Sequence, residues 1–540
     1  MSDSKAVEFD YVIVGSGSAG CVLANRLSAD PRMQVCLLEA GGEDRHPLIH
    51  IPAGYVKTMV MPSINWLFDT GPDPNTGNRA IPVPRGRVLG GSSSINGLLY
   101  VRGQARDYDM WSQLGNRGWS YEDVLPYFRK SERRENAAPD DELRGTEGLL
   151  NVADVSETDP VLDQVIESAE ALGYPANPDY NGASQEGFGY FQTTMKNGRR
   201  HSAASAYLRP VRNRKNLTVI THAHATRVDV EGHRATGVQY RRDGELRTIR
   251  ARHEAILSAG AIQSPQLLEL SGIGAGEQLQ SQGIDVVHDL PGVGENLQDH
   301  YIARVTFKLS GVRTLNERTK GLAVLGEIAK CFYLGRGALT LPAGVAYGFV
   351  RRRPELETPD VQYHIAHASF RDPKKRIFDD FPGLTIGPCQ LRPESRGSIH
   401  ITSNDPMSAP RISPNFLHTE NDRCTIVDGI KVARTLVTAE PLAQIVDAEV
   451  TPGAGISTDE QILDYAASTG ATVYHPVGTC KMGSDAQAVV DDQLRVHGID
   501  GLRVVDASIM PRLVSGNTNA PTMMIAEKAA DLIIEAAHAR

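Results

Sequence analysis

The chain lacks any apolar run of about 18 residues or more, so no segment reads as a transmembrane helix. Its start, Met-Ser-Asp-Ser-Lys-Ala-Val-Glu, has no apolar core, and no secretory signal is expected. Cysteine is scarce. Its six copies (Cys21, Cys36, Cys331, Cys389, Cys424 and Cys480) form no CxxC pair. That argues against a disulfide framework or a zinc site, predicts no metal, and fits a reducing compartment. There is no excess of positive charge: 56 Lys and Arg against 65 Asp and Glu leave a net −9. A general nucleic-acid role is therefore not expected. Internal repeats and low-complexity tracts are missing too. Together these absences predict a cytoplasmic protein and leave peripheral contact with the inner membrane open. What remains is 540 residues, 41% hydrophobic and 22% charged. That is enough for two or more joined domains with large cores.

The most informative segment runs from Tyr11 to Gly20. The apolar stretch Tyr11 to Val14 meets Gly15, Gly17 and Gly20 in the spacing GxGxxG. In a chain with 51 glycines this spacing arises by chance about 0.5 times. Context carries the reading. Phe9 to Val14 is mostly β-branched or aromatic, as in a buried parallel strand. Ala19 to Ala29 has helical periodicity and is stopped by Asp30-Pro31. A second strand, Gln34 to Leu38, ends in Glu39, 24 positions after Gly15. This is the dinucleotide-binding pattern. Gly15 permits the tight turn, Gly17 lets backbone amides reach a pyrophosphate, and Gly20 lets helix and strand pack closely. The helix N-terminus, opened by Ser18, adds partial positive charge. Glu39 accepts from ribose hydroxyls and repels a 2′-phosphate.

Further along, apolar strands and helical stretches alternate with Gly/Pro turns. Asp140 to Gly187 is polar and reads as leaving the nucleotide domain; Ala251 to Gly260 reads as a strand returning to it. Between Tyr301 and Thr451 the periodicity becomes two, as in Val361 to Ala368 and Gly397 to Thr402. That predicts antiparallel sheet with one wetter face. Arg371 to Pro382 is a charged, aromatic-tipped loop, read as solvated, with a lid or a membrane-docking edge as the functional alternative. Leu339 to Val350 carries no charge and is a candidate pocket wall. At the carboxy end, Ala526, Ala529, Ala530, Ile533, Ile534 and Ala537 form one helical stripe, expected to dock on a sheet. Glu527, Asp531 and Glu535 fall on the opposite face.

A second glycine segment, Gly86 to Gly97, places Gly90 and Gly91 before Ser92, Ser93 and Ser94. Its exposed N–H and O–H groups suit a second phosphate or the polar edge of a flavin. With this segment the chain resembles the glucose–methanol–choline (GMC) oxidoreductase family. One family signature is matched by Gly86 to Gly103 and another by Gly260 to Gly274. Gly292 to His300, Tyr474 to Cys480, Leu502 to Ser508 and Asn517 to Asn519 match further family segments in order. The resemblance is greatest to bacterial choline-dehydrogenase-like members and aliphatic alcohol dehydrogenases.

The resemblance implies an α/β plus α+β architecture. A Rossmann-like FAD-binding domain of the GMC/p-hydroxybenzoate-hydroxylase-like type is expected over residues 1–155, 210–305 and 465–540. A substrate domain on a mostly antiparallel sheet flanked by helices is expected over 156–209 and 306–464. It implies FAD rather than NAD. Gly15, Gly17, Ser18, Gly20 and Glu39 would hold its ADP half, and Val228 would meet the adenine through its backbone. Gly90, Gly91, Ser92 and Asn96 would line the pyrophosphate and isoalloxazine, Asp506 and Ala507 the pyrophosphate and ribityl chain, and Asn519 the flavin. Some relatives attach FAD through a His just before the Asn of the second glycine segment. Ile95 stands there, so non-covalent FAD is expected.

Alcohol oxidation by a flavin needs a base for the hydroxyl proton and a donor for the developing alkoxide. An imidazole, with an ordinary pKa of about 6.5, suits the first task. The resemblance assigns these roles to His475 and Asn517. His222, His224, His364, His367 and His400 read as strand or surface histidines. The expected function is FAD-dependent oxidation of a primary alcohol, with electrons passed to a quinone-type acceptor. The alternatives are an oxidase that gives electrons to O2, and a lyase or photoenzyme of the same fold.

Overall fold

The computed structural model describes residues 7–372 and 377–538. Strand β1 (Val7–Val14), helix α1 (Ser18–Leu27) and strand β2 (Val35–Leu38) form the expected strand–turn–helix–strand unit. They belong to a seven-stranded sheet ordered Leu217–Ile220, β2, β1, Glu245–Leu257, Arg234–Arg242, His224–Glu231. Leu502–Val504 lies alongside Glu245–Leu257. The core members are parallel: β1 runs with β2 and Glu245–Leu257, Leu217–Ile220 with β2, and Leu502–Val504 with Glu245–Leu257. The register explains the site. Val14 pairs with Leu38 and Leu257, Leu38 with Ile220, and Leu257 with Val504. Five strands therefore end in line. The residues that follow them, including Gly15, Glu39, Ala223, Ser258 and Asp506, emerge along one carboxyl edge, where open α/β sheets bind ligands.

Helix α3 (Gly260–Leu270) packs on His224–Glu231 of this sheet, helix α2 (Tyr121–Ser131) packs on the final helix, and α4 (Ala323–Leu334) packs on the short turn Ala338–Thr340. The second sheet has eight strands. Its path is Val446–Thr451, Val305–Leu309, Gly383–Gln390, Val361–Ala366, Ala346–Val350, Gly187–Tyr190, and the short strands Tyr301–Ile302 and Ala471–Thr472 close one side. Every pairing in it is antiparallel, as the period-two pattern predicts. Helix α5 (Glu420–Leu436) covers one face and buries Ile426, Val427, Ile430 and Leu436.

Several expectations change. The polar stretch 140–187 contains a strand, Leu150–Asp154, and a helix, Pro160–Ala171. Ser398–His400 pairs only with Arg411–Ser413, a hairpin that packs on α3 and stays outside the large antiparallel sheet. Residues 373–376 of the charged loop lie outside the described residues; its arms, Phe370–Asp372 and Ile377–Phe378, pair with each other. The final helix, α6 (Asn519–His538), docks on α1 and α2 rather than on a sheet. Glu527 is fully buried there. It receives Arg26 Nε at 2.8 Å and Nη2 at 2.7 Å, and Lys130 approaches to 3.6 Å. Glu527, read as outward, is turned inward because two cations on neighbouring helices neutralise it, while Asp531 and Glu535 stay toward solvent.

Candidate active site and cofactor groove

A cavity of about 1220 Å³ runs from the carboxyl edge of the first sheet to the face of the second. At its sheet end the lining includes Gly15, Gly17, Ser18, Glu39, Ala225, Ser258, Asp506 and Ala507. Helix α1 opens toward it. Gly17 is its N-cap and supplies no side-chain cap, so the first-turn amides are left to an outside acceptor. A Cβ on Gly17 would meet nothing nearer than Ser258 O at 3.9 Å, whereas one on Gly20 would lie 1.9 Å from Gly15 O. Gly17 thus leaves room for a ligand, and Gly20 is a packing glycine outside the lining. Glu39 is buried. It accepts from Ser16 N (3.1 Å), Ser16 Oγ (2.7 Å) and Gly41 N (2.8 Å), while burial raises its pKa. Asp506 accepts from Gly260 N (2.9 Å), Ser264 Oγ (2.6 Å) and Ser508 N (2.8 Å), and burial again raises its pKa. Ser18 Oγ donates to Asn519 Oδ1 at 2.7 Å, joining the two ends of the chain at the groove.

The second glycine segment folds over the first. Gly91, Ser92, Ile95 and Asn96 line the cavity; Gly90 does not. Gly90 shapes the turn instead, at φ +87°, where a Cβ would meet Ser94 Oγ at 2.3 Å. Val228 is also displaced from its expected role. It sits mid-strand, its N–H donates to Ser271 Oγ at 2.8 Å, and it is absent from the lining. Ala223, His224 and Ala225 take that wall, beside a register shift between Ala225 and Arg227. Of Leu339 to Val350, only Ala343 reaches the cavity; Val345, Ala346 and Val350 are buried in the second core.

His475 and Asn517 meet at the far end. Asn517 Nδ2 lies 3.0 Å from His475 Nε2, and Asn517 Oδ1 accepts from Gln362 Nε2 at 3.3 Å. His475 Nδ1 lies 3.0 Å from His300 Nδ1, and His300 Nε2 lies 3.0 Å from the carbonyl of Leu391. A carbonyl only accepts, so the network assigns the His300 proton to Nε2. Neutral His300 then accepts at Nδ1, and the shared proton belongs to His475 Nδ1. This leaves a lone pair on His475 Nε2, at the edge shared with Asn517. Burial drives His475 well below the ordinary histidine range, helped by His300, His364 and Arg85; burial likewise brings His300 down to about 4. Asp299 pins the backbone of both histidines. It accepts from His475 N and His300 N, each at 2.8 Å, and from the Thr472 hydroxyl.

Sequence reasoning missed His300 and Asp299 as site residues. They stand together at the end of the Gly292 to His300 match, and an adjacent acid–imidazole pair closing a glycine turn was the available signal. His364, read as a strand histidine, is in a strand but lines the cavity, and its Nε2 has no hydrogen-bond partner among the described residues. His224 also lines the cavity and bonds the carbonyl of Pro406 at 3.1 Å. His400 bridges Glu269 at 2.7 Å and Glu295 at 2.9 Å. His367 is buried 3.4 Å from Asp159.

The sequence matches the amino-terminal GMC oxidoreductase domain over residues 9–302 and the carboxy-terminal GMC oxidoreductase domain over residues 393–526. It is 42% identical over 535 residues to the alcohol dehydrogenase [acceptor] of Pseudomonas putida, covering 97% of this chain and 96% of that one. It is 42% identical over 534 residues to an oxygen-dependent choline dehydrogenase of Brucella anthropi, covering 98% and 96%. Among solved structures, pyridoxine 4-oxidase from Mesorbium loti superposes with a TM-score of 0.88 at 30% identity, over 97% of this chain and 98% of that one. Formate oxidase superposes with a TM-score of 0.90 at 26% identity, over 99% of both chains. An uncapped helix N-terminus, two facing glycine loops and a buried acid at the ribose position fit the cofactor of this family. The chain belongs to the GMC oxidoreductases, FAD-dependent flavoproteins.

Proposed function

We propose that this enzyme oxidises a primary alcohol to the aldehyde, with His475 as the general base and a quinone-type compound as the final electron acceptor. The carrying observation is the lone pair at His475 Nε2. A hydroxyl that enters between His475 and Asn517 replaces their direct hydrogen bond: it donates its proton to His475 Nε2 and accepts from Asn517 Nδ2. His475 is neutral before substrate arrives, because burial disfavours its cation. Asn517 steadies the oxygen as charge develops on it. His300 and the Leu391 carbonyl keep the imidazole in the accepting tautomer. FAD, when bound, supplies the hydride acceptor. Gly15, Gly17, Ser18, Glu39, Gly91, Ser92, Asn96, Asp506, Ala507 and Asn519 would hold it, with Gly20 and Gly90 shaping their turns.

The lining favours a neutral, largely aliphatic alcohol. Its only carboxylates are Glu39 and Asp506, both tied down at the cofactor end. Toward the second sheet it offers Arg79, Arg85, Arg304 and Arg371 together with Ile95, Ile302, Ala343, Ala366 and Phe370. A quaternary ammonium group such as that of choline would enter among guanidinium groups, with no carboxylate among the described lining residues on that side to balance it. An anaerobic flavin-reduction screen over hexanol, benzyl alcohol, glycols and choline tests this. Fast bleaching by hexanol and none by choline is expected; the reverse order overturns the substrate reading. Peroxide formed at the turnover rate in air, with no gain from an added quinone, overturns the acceptor reading in favour of an oxidase.

A further inference from the structure

Helix α4 is built inside out. Soluble helices turn apolar residues to the core and charges to water. In α4 the one buried residue is a carboxylate. Glu327, 5% exposed, accepts from Ala338 N at 2.7 Å and from Lys330 at 3.0 Å, and pairs with Arg318 at 3.2 Å. Its outward side carries Leu325, Phe332, Tyr333 and Leu334, with Leu322 just before it. Leu322 and Tyr333 are 84% and 87% exposed. Leu325, Ile328, Phe332, Tyr333 and Leu334 make five exposed large apolar side chains on 12 residues, more than scattered surface hydrophobics, and Leu322, Leu325, Ile328, Phe332 and Tyr333 fall on one side at helical spacing. At about 18 Å the helix is too short to span a bilayer. No helix among the described residues is long and apolar enough to do so.

The surroundings of this patch are basic, although the whole chain carries a net −9. Gly335, the C-cap of α4, abuts the turn at Gly198, whose Cβ would lie 2.6 Å from Gly335 O. That turn joins Lys196 to Arg199, both exposed. They share a recess of about 430 Å³ with His50, Arg200, His201 and Arg209, and no carboxylate lines it, although Arg209 pairs with Asp44 outside the lining. Exposed Arg336 follows the helix. At the other end of α4, Lys320 bonds Asp380 at 2.8 Å, and Asp380 also pairs at 3.0 Å with Arg371, which lines the main cavity. The apolar patch is thus flanked by cations at its carboxyl end and, through the Lys320–Asp380–Arg371 link at its amino end, tied to the cavity rim.

We propose that α4 and the Lys196–Arg199 turn dock the enzyme on an anionic lipid bilayer. The apolar side chains enter the acyl boundary, and the basic recess meets lipid phosphates. A second copy of the chain fits less well. An isologous contact with its two-fold axis at the carboxyl end of α4 would bring Lys196, Arg199 and Arg336 of both copies together, like charge near like. Docking places the cavity rim at the membrane, where an apolar acceptor dissolves. This consequence rests on the quinone reading; the docking itself does not.

Co-sedimentation of the FAD-loaded protein with phosphatidylglycerol/phosphatidylcholine vesicles, and with phosphatidylcholine alone, tests it. Binding to the anionic vesicles is expected, weakened by salt. The double substitution Leu325→Glu with Phe332→Glu should lower it by about tenfold or more, and Lys196→Glu with Arg199→Glu should weaken it on anionic vesicles alone. Both variants alter exposed residues, so flavin content and turnover of a soluble alcohol with a water-soluble dye should stay unchanged. Absence of vesicle binding by the parent protein overturns the proposal. So does equal binding by the Leu325/Phe332 variant, or a parent dimer that this variant dissociates without any vesicle binding. Since sedimentation needs no turnover, a wrong substrate assignment leaves the result intact.

Discussion

A Cβ placed on Gly91 would lie 2.7 Å from Gly17 Cα, so the two glycine loops touch through their bare backbones. Gly91 is also at φ +52°, whereas Gly17 is at φ −73° with open space beside it. The two positions therefore fail differently. Gly91→Ala should lose roughly 1–3 kcal/mol of stability and shed FAD. Gly17→Ala should melt near the parent's apo temperature yet bind flavin weakly. Thermal melts paired with flavin-to-protein absorbance ratios separate the two.

His475→Ala should slow flavin reduction by alcohol on the order of 10² to 10⁴-fold while FAD stays bound. His300→Ala acts only through the imidazole it orients. A loss on the order of 10-fold is expected, with KM nearly unchanged. Stopped-flow reduction by hexanol reads both. A His475→Ala enzyme that reduces at the parent rate sinks the base assignment.

The pH profile should carry an unusual signature. His475 lies well below the ordinary histidine range, so it stays neutral as pH falls through about 6.5. Asp299, pushed up to about 6 by burial, is the group that gains a proton there. An inflection in kcat/KM near pH 6 should therefore vanish in Asp299→Asn. If it survives in that variant, the proton belongs to an imidazole.

His400 is raised to about 9 by Glu269 and Glu295, against burial, which lowers it. A cation with a raised folded pKa stabilises fully below its unfolded value, about 6.5, and loses that contribution as pH climbs through about 9. The melting-temperature gap between the parent and His400→Gln should be widest below pH 6.5 and narrow above pH 9. A gap independent of pH assigns His400 a packing role only.

Ile95 occupies the cavity wall and offers no nucleophile. Acid precipitation should leave a colourless pellet and release free FAD. A yellow pellet would falsify non-covalent binding.

The nucleotide-binding elements were legible because their constraints are local. Gly20 answers to a backbone clash with Gly15 O within one turn, Gly15 to its own positive φ of +97°, and Phe9 to Val14 to burial on both faces of a sheet. The antiparallel sheet was legible in the period-two pattern of Val361 to Ala366. What escaped depends on contacts distant in sequence. Glu527 reads as surface until Arg26, 501 positions away, is seen beside it. His300 matters only through His475, 175 positions on, and nothing local marks which imidazole will find the other. Val228 falls outside the cavity lining and Ala225 within it, beside a shift in pairing that residue types do not announce.

The hydrogen bond from Ser18 to Asn519 joins positions 501 residues apart across the cofactor groove. Asp506, Ala507, Asn517 and Asn519 all line that groove from the last strand and helix. A nascent chain therefore carries the first phosphate loop through almost the whole of its synthesis with no opposite wall. If these residues hold FAD as proposed, flavin capture waits until the segment 506–519 has emerged, and a chain cut before Asn519 is expected to release the cofactor.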